Sequence, residues 1–168
     1  SNFPLPTSYD ASSSRSGRPV SAEPRPCVHV VFPRREGRRV QHSTFARWGA
    51  LPQRTLGLFV LAALARRAGW RVEVCDENWV ELPTSRPDLV LLSVWTSNAP
   101  SAYELSARYR AQGVPVVMGG VHPSMMPFES LRHADAVVVG EAEGVLDRVL
   151  RDVEAGTPGP IYDGGGHA

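Results

Sequence analysis

The chain contains no lysine, and all 18 of its lysine-plus-arginine residues are arginine. Schiff-base and lysine-nucleophile mechanisms are therefore excluded for this chain, because both need a side-chain amine. Cysteine is also scarce, with only Cys27 and Cys75, which lie far apart in the sequence. They form neither a disulfide framework nor a metal-ligand spacing. We expect both to be buried apolar residues, and we predict no metal ligands.

Strong net charge and long apolar runs are absent as well. The formal net charge of +1 leaves no global field that would attract nucleic acid or anionic lipid. No apolar run approaches the roughly 18 residues that a membrane span requires. The N-terminus is polar and rich in serine and proline, unlike a secretory signal. These absences predict a cytoplasmic protein that has neither a nucleic-acid nor a membrane partner.

The sequence divides into three parts. Residues 1–26 show no hydrophobic periodicity and read as a flexible leader. Residues 27–156 carry the apolar patterns of one domain, and residues 157–168 read as a Gly/Pro-rich tail or a linker towards a catalytic domain outside this chain. The loop at 33–51 is rich in arginine, which we interpret as a solvated loop or a domain contact.

Short apolar strands alternate with helical patterns along residues 27–156. Strands are predicted at 27–32, 70–77, 87–95, 114–120 and 134–140, and helices at 52–67, 100–112, 124–133 and 143–155. The near-continuous apolar strands are typical of a sheet that is covered on both faces. The pattern predicts an α/β fold: a Rossmann/flavodoxin-like, doubly wound, five-stranded parallel sheet in a single domain.

Two neighbouring strands end at glycine, one at Gly119-Gly120 and the next at Gly140-Glu141. Glycine at a strand end indicates that the backbone approaches something closely there. In an open α/β sheet, ligands bind beyond the carboxyl ends of the strands, where the strand order reverses. Both glycine sites therefore fall on the edge where a ligand is expected.

Several common ligands of such sheets are disfavoured. A dinucleotide needs G-x-G-x-x-G after the first strand, but this chain has Phe32-Pro33-Arg34-Arg35 there. A phospho-receiver needs an aspartate at the end of the third strand, which instead ends near Ser93. A flavin or nucleotide module stays open as an alternative, with an arginine-rich loop to grip phosphate and with His42-Ser43-Thr44 as a weak, displaced candidate for a phosphate loop.

Three segments, "LLSVWTSNAPSAYEL", "VPVVMGGVHPSMMP" and "HADAVVVGEAEG", resemble the cobalamin-binding domain that precedes the catalytic barrel of cobalamin-dependent radical SAM enzymes. The resemblance covers about residues 52–150. It implies a Rossmann-like domain that binds cobalamin (vitamin B12, as methylcobalamin or hydroxocobalamin). The nucleotide tail of the cofactor would run down the carboxyl edge of the sheet, with the corrin on top.

The resemblance also implies roles for individual residues. Ser93 matches a serine that hydrogen-bonds dimethylbenzimidazole, and Gly119-Gly120 match a pair at which any side chain would collide with the ligand. Gly140, Glu141 and Glu143 match a G-E-x-E loop. The implied cofactor-binding set is Ser93, Val94, Trp95, Thr96, Ser97, Asn98, Gly119, Gly120, Val121, His122, Pro123, Gly140, Glu141 and Glu143.

Structural alternatives exist for several of these positions. Ser93 could bond its own backbone at a strand end, and Gly120 could relieve strain at a turn with positive φ. Glu141 could cap the last helix, where a carboxylate is favoured. Trp95 fits the core better than a pocket wall. For His122, a hydrogen-bonding surface role is the alternative to a place beside the corrin.

Two family motifs are missing. The D-x-H-x-x-G motif of methionine-synthase-type carriers, whose histidine replaces benzimidazole on cobalt, is absent, because His42 lacks both the aspartate and the glycine. The C-x-x-x-C-x-x-C site of radical SAM enzymes cannot be assembled from two cysteines. An iron–sulfur cluster and S-adenosylmethionine would therefore belong to a barrel in cis or in trans. We predict no catalytic residue in this chain.

The sequence analysis thus predicts a base-off cobalamin-binding domain without a histidine ligand, which serves methyl transfer by a radical SAM catalytic domain. One alternative is a stand-alone cobalamin carrier or sensor. The other is the flavin- or nucleotide-binding module described above.

Overall fold

A computed structural model describes residues 25–35 and 56–165 of the chain. Most of the predicted leader, most of the arginine-rich loop and His42 lie outside these residues. Six strands form one parallel sheet in the order β2-β1-β3-β4-β5-β6. The strands are β1 (Cys27–Phe32), β2 (Arg71–Asp76), β3 (Leu89–Ser93), β4 (Val116–Gly119), β5 (Ala136–Val139) and β6 (Ile161–Asp163).

Helices lie in most of the connections between strands, whereas residues 77–88 join β2 to β3 without a helix. The helices are α1 (Leu56–Arg67), α2 (Ala99–Ala111), α3 (Val121–Met125), α4 (Pro127–Leu131) and α5 (Leu146–Glu154). Two short 3₁₀ turns, Thr96–Asn98 and Ala142–Gly144, precede α2 and α5. No helix in the described part of the chain is long and apolar enough to cross a membrane.

Alternating side chains divide the buried residues of the strands between two cores. Val28 and Val30 of β1 point to the face that is covered by α1 and α5, where Leu58 and Val149 pack. The intervening Val31 points to the opposite face, against α2. The central strands are consequently buried on both sides, in agreement with their continuous apolar sequence.

The predicted doubly wound parallel sheet is confirmed, but the predicted strand number is too small by one. The sixth strand, Ile161–Asp163, pairs with β5 and lies in the segment that the sequence analysis assigned to a tail. The helix predicted at 124–133 is instead two short helices separated at Met126. Pro127 explains the break, because proline cannot donate a helical hydrogen bond and restricts the preceding residue.

The strand order reverses between β1 and β3, since the chain builds outwards to β2 and then returns to the other side of β1. The carboxyl ends of β3, β4 and β5 lie side by side next to this reversal. Such an edge is where open α/β sheets bind their ligands.

Candidate functional site

A cavity of about 150 Å³ lies at the carboxyl edge of the sheet, on the face covered by α1 and α5. Most of its wall is apolar side chain and glycine backbone. The lining residues are Gly57, Leu61, Leu91, Leu92, Ser93, Val117, Gly119, Gly120, Val138, Gly140, Glu141, Ala142, Glu143 and Leu146. Six residues of the predicted cofactor-binding set are therefore brought together here: Ser93, Gly119, Gly120, Gly140, Glu141 and Glu143.

The remaining lining residues were missed by the sequence analysis. Gly57 and Leu61 come from α1, Leu146 comes from α5, and Val117 and Val138 are inward-facing strand residues. Their sequence context predicts an ordinary helix–sheet core. The available signal was Gly57, an exposed glycine near the start of a helix that is otherwise rich in leucine and alanine.

Ser93 is the polar group at the centre of this edge. It pairs with Gly119 across β3 and β4, and strand alternation puts its side chain on the same face as Leu91. In the described residues, the Ser93 hydroxyl forms no hydrogen bond. A hydroxyl without a partner in an apolar cavity is available to bond a ligand, and the alternative that Ser93 bonds its own backbone finds no support.

Gly119 has no side chain, although the fold would accept one. A Cβ built at this position would lie 3.5 Å from Val138 Cβ, which is an ordinary van der Waals contact. Gly119 is also absent from the glycines with positive φ in the described residues. Neither sterics nor backbone strain requires glycine here, so the missing side chain serves to keep the cavity open.

Gly120 is different, because the fold itself requires glycine there. Its φ is +103°, a conformation that residues with a Cβ rarely adopt. A Cβ would lie 2.9 Å from the Val94 carbonyl oxygen. Two backbone hydrogen bonds hold the segment after β3 this close to the end of β4. Val94 N–H donates to Gly119 O (2.8 Å), and His122 N–H donates to Val94 O (3.1 Å). The structural alternative therefore accounts for Gly120 without a ligand.

A serine joins the loops that follow β4 and β5. Ser124 Oγ donates to Gly120 O (2.9 Å), and Gly140 N–H donates to Ser124 Oγ (3.0 Å). Gly140 has a φ of +78°, which turns the chain sharply after β5. The two glycine sites noted in the sequence are therefore parts of one connected rim.

The segment after β6 supports the Glu141 loop from behind. Gly164 N–H donates to Val139 O (2.8 Å), and Gly164 packs so tightly on the Glu141 backbone that a Cβ there would overlap the Glu141 carbonyl oxygen. The Glu141 side chain makes no capping hydrogen bond. The capping role considered for Glu141 is therefore unsupported, and its carboxylate lies exposed at the cavity rim beside Glu143.

The loop from Val94 to Asn98 shapes the edge without lining the cavity. Val94 is fully buried in the α2-side core. Trp95 packs edge-on against Phe32 at 5.7 Å between ring centroids, and the Arg35 guanidinium lies 5.4 Å from the Trp95 ring centroid. As the sequence suggested, Trp95 is closer to a core residue than to a pocket wall.

Asn98 fastens this loop to the end of β1. Its Oδ1 accepts a hydrogen bond from Trp95 N–H (2.7 Å), and its Nδ2 donates to Pro33 O (3.0 Å). Both ends of the buried amide are therefore used within the chain. Thr96 and Ser97, by contrast, are exposed between these anchors and remain candidates for contact with a ligand tail.

His122 lies on the opposite face of the sheet from the cavity. Its Nε2 lies 2.8 Å from the hydroxyl of Tyr103 in α2, and that hydroxyl donates to Glu129 Oε1 (3.1 Å). Burial raises the pKa of Tyr103 above its ordinary value. Pro123 is buried beside His122, whereas Val121 is exposed. The hydrogen-bonding alternative for His122 therefore fits the geometry better than a place in the cavity.

Comparisons with known proteins identify one family that this chain resembles. The family model of the B12 binding domain matches residues 50–150. Bacteriochlorophyllide d C-12(1)-methyltransferase of Chlorobaculum tepidum is 34% identical over 110 residues, which cover 64% of this chain and 24% of the relative. Bacteriochlorophyllide d C-8(2)-methyltransferase of the same organism is 42% identical over 66 residues, which cover 39% and 15% respectively.

The chain thus spans about a quarter or less of the length of the curated relatives that it matches. The family match, however, extends over more than half of the sequence and includes every residue that lines the cavity. The cobalamin-binding resemblance noted in the sequence is confirmed, and this chain belongs to the B12-binding domain family.

Proposed function

We propose that this domain holds cobalamin with the dimethylbenzimidazole end of its nucleotide tail in the cavity at the carboxyl edge. The observation that carries the proposal is the pairing of Ser93 with Gly119. One residue offers a hydroxyl without a partner, and the other leaves space that the fold would let a side chain fill. An apolar inner wall that offers one hydroxyl, with the carboxylates of Glu141 and Glu143 at the rim, suits an aromatic base that has one ring nitrogen to satisfy.

The size of the cavity indicates that it encloses only part of the ligand. A volume of about 150 Å³ is below the roughly 300–1,000 Å³ of pockets that enclose a whole drug-sized ligand. The cavity therefore receives one end of a larger molecule, and the rest of that molecule lies outside. Leu61, Val117 and Leu146 exclude water from the enclosed end, while the Ser93 hydroxyl hydrogen-bonds it.

We propose further that the bound cofactor serves methyl transfer. Both relatives are methyltransferases by name. When bound, cobalamin supplies a cobalt centre that carries the methyl group. The described residues that line the cavity offer one serine hydroxyl and two rim carboxylates, and in this proposal they contribute binding and orientation. The catalytic step belongs to a radical SAM barrel in cis or in trans, because two cysteines cannot hold the iron–sulfur cluster.

The proposed binding mode is base-off without a histidine ligand. Of the described histidines, His29, His122 and His133, none lines the cavity. His122 is already engaged with Tyr103, and the Ser93 side chain points to the face where benzimidazole would be held away from cobalt. A stand-alone carrier would use the same geometry. Among the described residues that line the cavity, the hydrogen-bonding side chains are one serine and two glutamates. Most of the arginine-rich loop on which the flavin or nucleotide alternative depends lies outside the described residues, so that alternative stays open.

Titration of the purified chain with hydroxocobalamin tests the proposal. We expect a saturable change in the corrin spectrum with a stoichiometry of about one. In Gly119→Leu, the Cβ fits but the remaining side-chain atoms must enter the cavity, so we expect the Kd to rise at least about tenfold, which corresponds to ~1.4 kcal/mol. Thermal stability should change little.

Gly159→Ala is the matched control. A Cβ at Gly159 would make an ordinary 3.8 Å contact with the Tyr162 ring, and Gly159 does not line the cavity. This variant should bind like the unmodified chain. Normal cobalamin binding by Gly119→Leu would show that the nucleotide tail lies outside this cavity. If the folded, unmodified chain bound no cobalamin, the proposal that this domain binds cobalamin would be overturned.

A further inference from the structure

A second cluster of reactive side chains lies on the α2 face of the sheet, between β1 and the edge strand β2. Cys27, His29 and Glu73 offer a thiol, an imidazole and a carboxylate, and one ligand atom from each lies within 4.8 Å of the others. Glu73 Oε1 is 4.0 Å from Cys27 Sγ, and Glu73 Oε2 is 4.0 Å from His29 Nε2. Cys27 and His29 are fully or almost fully buried.

The backbone places these groups together. Cys27 and His29 are two residues apart on β1, so strand alternation points both side chains to the same face. The parallel register sets His29 directly opposite Glu73 of β2. The sequence analysis predicted no metal ligands and did not identify this grouping of side chains. The available signal was the Cys-x-His spacing within one strand, which becomes informative only when the partner strand is known.

We propose that Cys27, His29 and Glu73 bind one transition-metal ion of the zinc(II) class, with water or the Ser85 hydroxyl as the fourth ligand. Sulfur, nitrogen and oxygen donors in a tetrahedral arrangement are a ligand set that zinc accepts. Zinc bonds of roughly 2.0–2.3 Å require ligand atoms about 3.3–3.8 Å apart. The two separations of 4.0 Å involve different oxygens of Glu73, and the three ligand atoms lie within 4.8 Å of one another. Binding one ion therefore requires the ligand atoms to move closer by up to about 1–1.5 Å.

Surrounding groups fit this role. His29 Nδ1 lies 3.4 Å from the Tyr109 hydroxyl, and His29 Nε2 lies 3.0 Å from Ser85 Oγ. When Nε2 binds the metal, the imidazole proton resides on Nδ1 and Tyr109 accepts it, which orients the ring as outer partners of metal-bound histidines do.

Arg71 opposes a cation at this position. Its guanidinium pairs with Glu73, and Ser85 Oγ donates to the same Glu73 oxygen at 2.7 Å. The Arg71 side chain is 54% exposed, so it can turn into solvent when the carboxylate takes a metal. If the cluster is only a structural hydrogen-bond network, Arg71 supports that network by pairing with Glu73. If the cluster is a metal site, Arg71 competes with the metal ion for the Glu73 carboxylate. The two interpretations therefore predict opposite effects on zinc binding when the Arg71 side chain is replaced.

The site is independent of cobalamin binding. The cluster occupies the first half of β1 and of β2, whereas the cavity lies at the carboxyl ends of β3 to β5. A metal ion here would join the edge strand β2 to β1 through side chains from both, and would thereby stabilise the folded state.

Equilibrium dialysis of the chelator-treated chain against zinc(II), without corrinoid, tests the proposal. Bound zinc is measured by elemental analysis and stability by thermal unfolding. We expect about one zinc per chain and a raised Tm, with both effects lost in Cys27→Ala and in Glu73→Gln. Circular dichroism checks that each variant is folded, and Glu73→Gln, at a half-buried position, is the change least disruptive to the core.

Two further variants make the test specific. Cys75→Ala removes the other buried cysteine, whose pKa burial raises to about 12, and should leave zinc binding unchanged. Arg71→Gln should tighten zinc binding about threefold or more, because a competing charge is removed. The proposal is overturned if Cys27→Ala and Glu73→Gln bind zinc as the unmodified chain does, if Cys75→Ala abolishes binding, or if Arg71→Gln weakens it.

Discussion

At the scale of residues, the two adjacent glycines illustrate what a sequence can and cannot show. The pattern predicted that Gly119 and Gly120 lie at the carboxyl edge of the sheet, and both line the cavity there. The resemblance implied ligand clearance for both, with relief of backbone strain as the alternative for Gly120, and only Gly119 has space that the fold leaves open. The φ of Gly120 and its approach to Val94 depend on how β3 and β4 lie side by side, which no local pattern encodes.

Gly120→Ala should therefore reduce stability. The added Cβ meets the Val94 carbonyl and the backbone must hold a positive φ, so we expect a loss of about 1–3 kcal/mol in the free energy of unfolding. Urea denaturation measures this effect, with Gly159→Ala as the control. An unchanged midpoint would show that the turn relaxes freely, and would return Gly120 to a ligand-clearance role.

Ser93→Ala should weaken cobalamin binding without affecting the fold. Its hydroxyl makes no hydrogen bond within the described residues, so its removal costs the free protein little. Loss of one hydrogen bond to the base corresponds to ~0.5–1.5 kcal/mol, or roughly a threefold to tenfold higher Kd for hydroxocobalamin. Ser101→Ala, a half-buried serine of α2 outside the cavity lining, is the control. Equal affinities for both variants would contradict the assignment of Ser93.

At the scale of elements, the strand that the sequence did not reveal turns out to support the site. β6 has only three residues, between Pro160 and Gly164, which is too short for a periodic signal. Its position comes from tertiary contacts: Tyr162 is buried, its hydroxyl donates to Asp152 Oδ2 (3.0 Å), and β6 pairs with β5. The longer strands β1 and β3 were predictable because their apolar runs decide the structure locally.

Gly164→Ala should disturb the cavity from outside its lining. The new Cβ would overlap the Glu141 carbonyl, so the loop that carries Glu141 and Glu143 must shift. We expect both a lower Tm and weaker cobalamin binding, measured by thermal unfolding and spectral titration. A variant that keeps full affinity would indicate that the rim formed by this loop contributes nothing to binding.

At the scale of the whole molecule, the fold class is confirmed, and the sequence also predicted the edge at which the cavity lies, because both follow from the alternation of elements. It did not predict which residues form the inner wall of the cavity. The inner wall is built by α1, α5 and the inward faces of β4 and β5, and these come together only in the folded chain. His122 was placed near the cofactor on proximity in sequence, but its helix turns it towards Tyr103.

A further prediction at the scale of the whole molecule concerns the electronic state of cobalt in bound cobalamin. In the proposed binding mode, with benzimidazole at Ser93 and no described histidine in the cavity, the lower face of cobalt would receive no nitrogen ligand. Electron paramagnetic resonance of the cobalt(II) form bound to the chain should therefore show no triplet splitting from one axial nitrogen. A triplet would contradict base-off binding without histidine. His122→Ala and His42→Ala, the latter outside the described residues, would then show whether either supplies the nitrogen.

The Ser124 hydroxyl, held between Gly120 O and Gly140 N–H, has a kinetic consequence. The bond from Ser124 Oγ to Gly120 O spans four residues and lies within the segment after β4, so it survives if the two loops part. Only the bond from Gly140 N–H to Ser124 Oγ joins the two loops, and parting them costs that one hydrogen bond, about 0.5–1.5 kcal/mol. The rim is therefore held by a contact weak enough to be lost and remade without unfolding either strand.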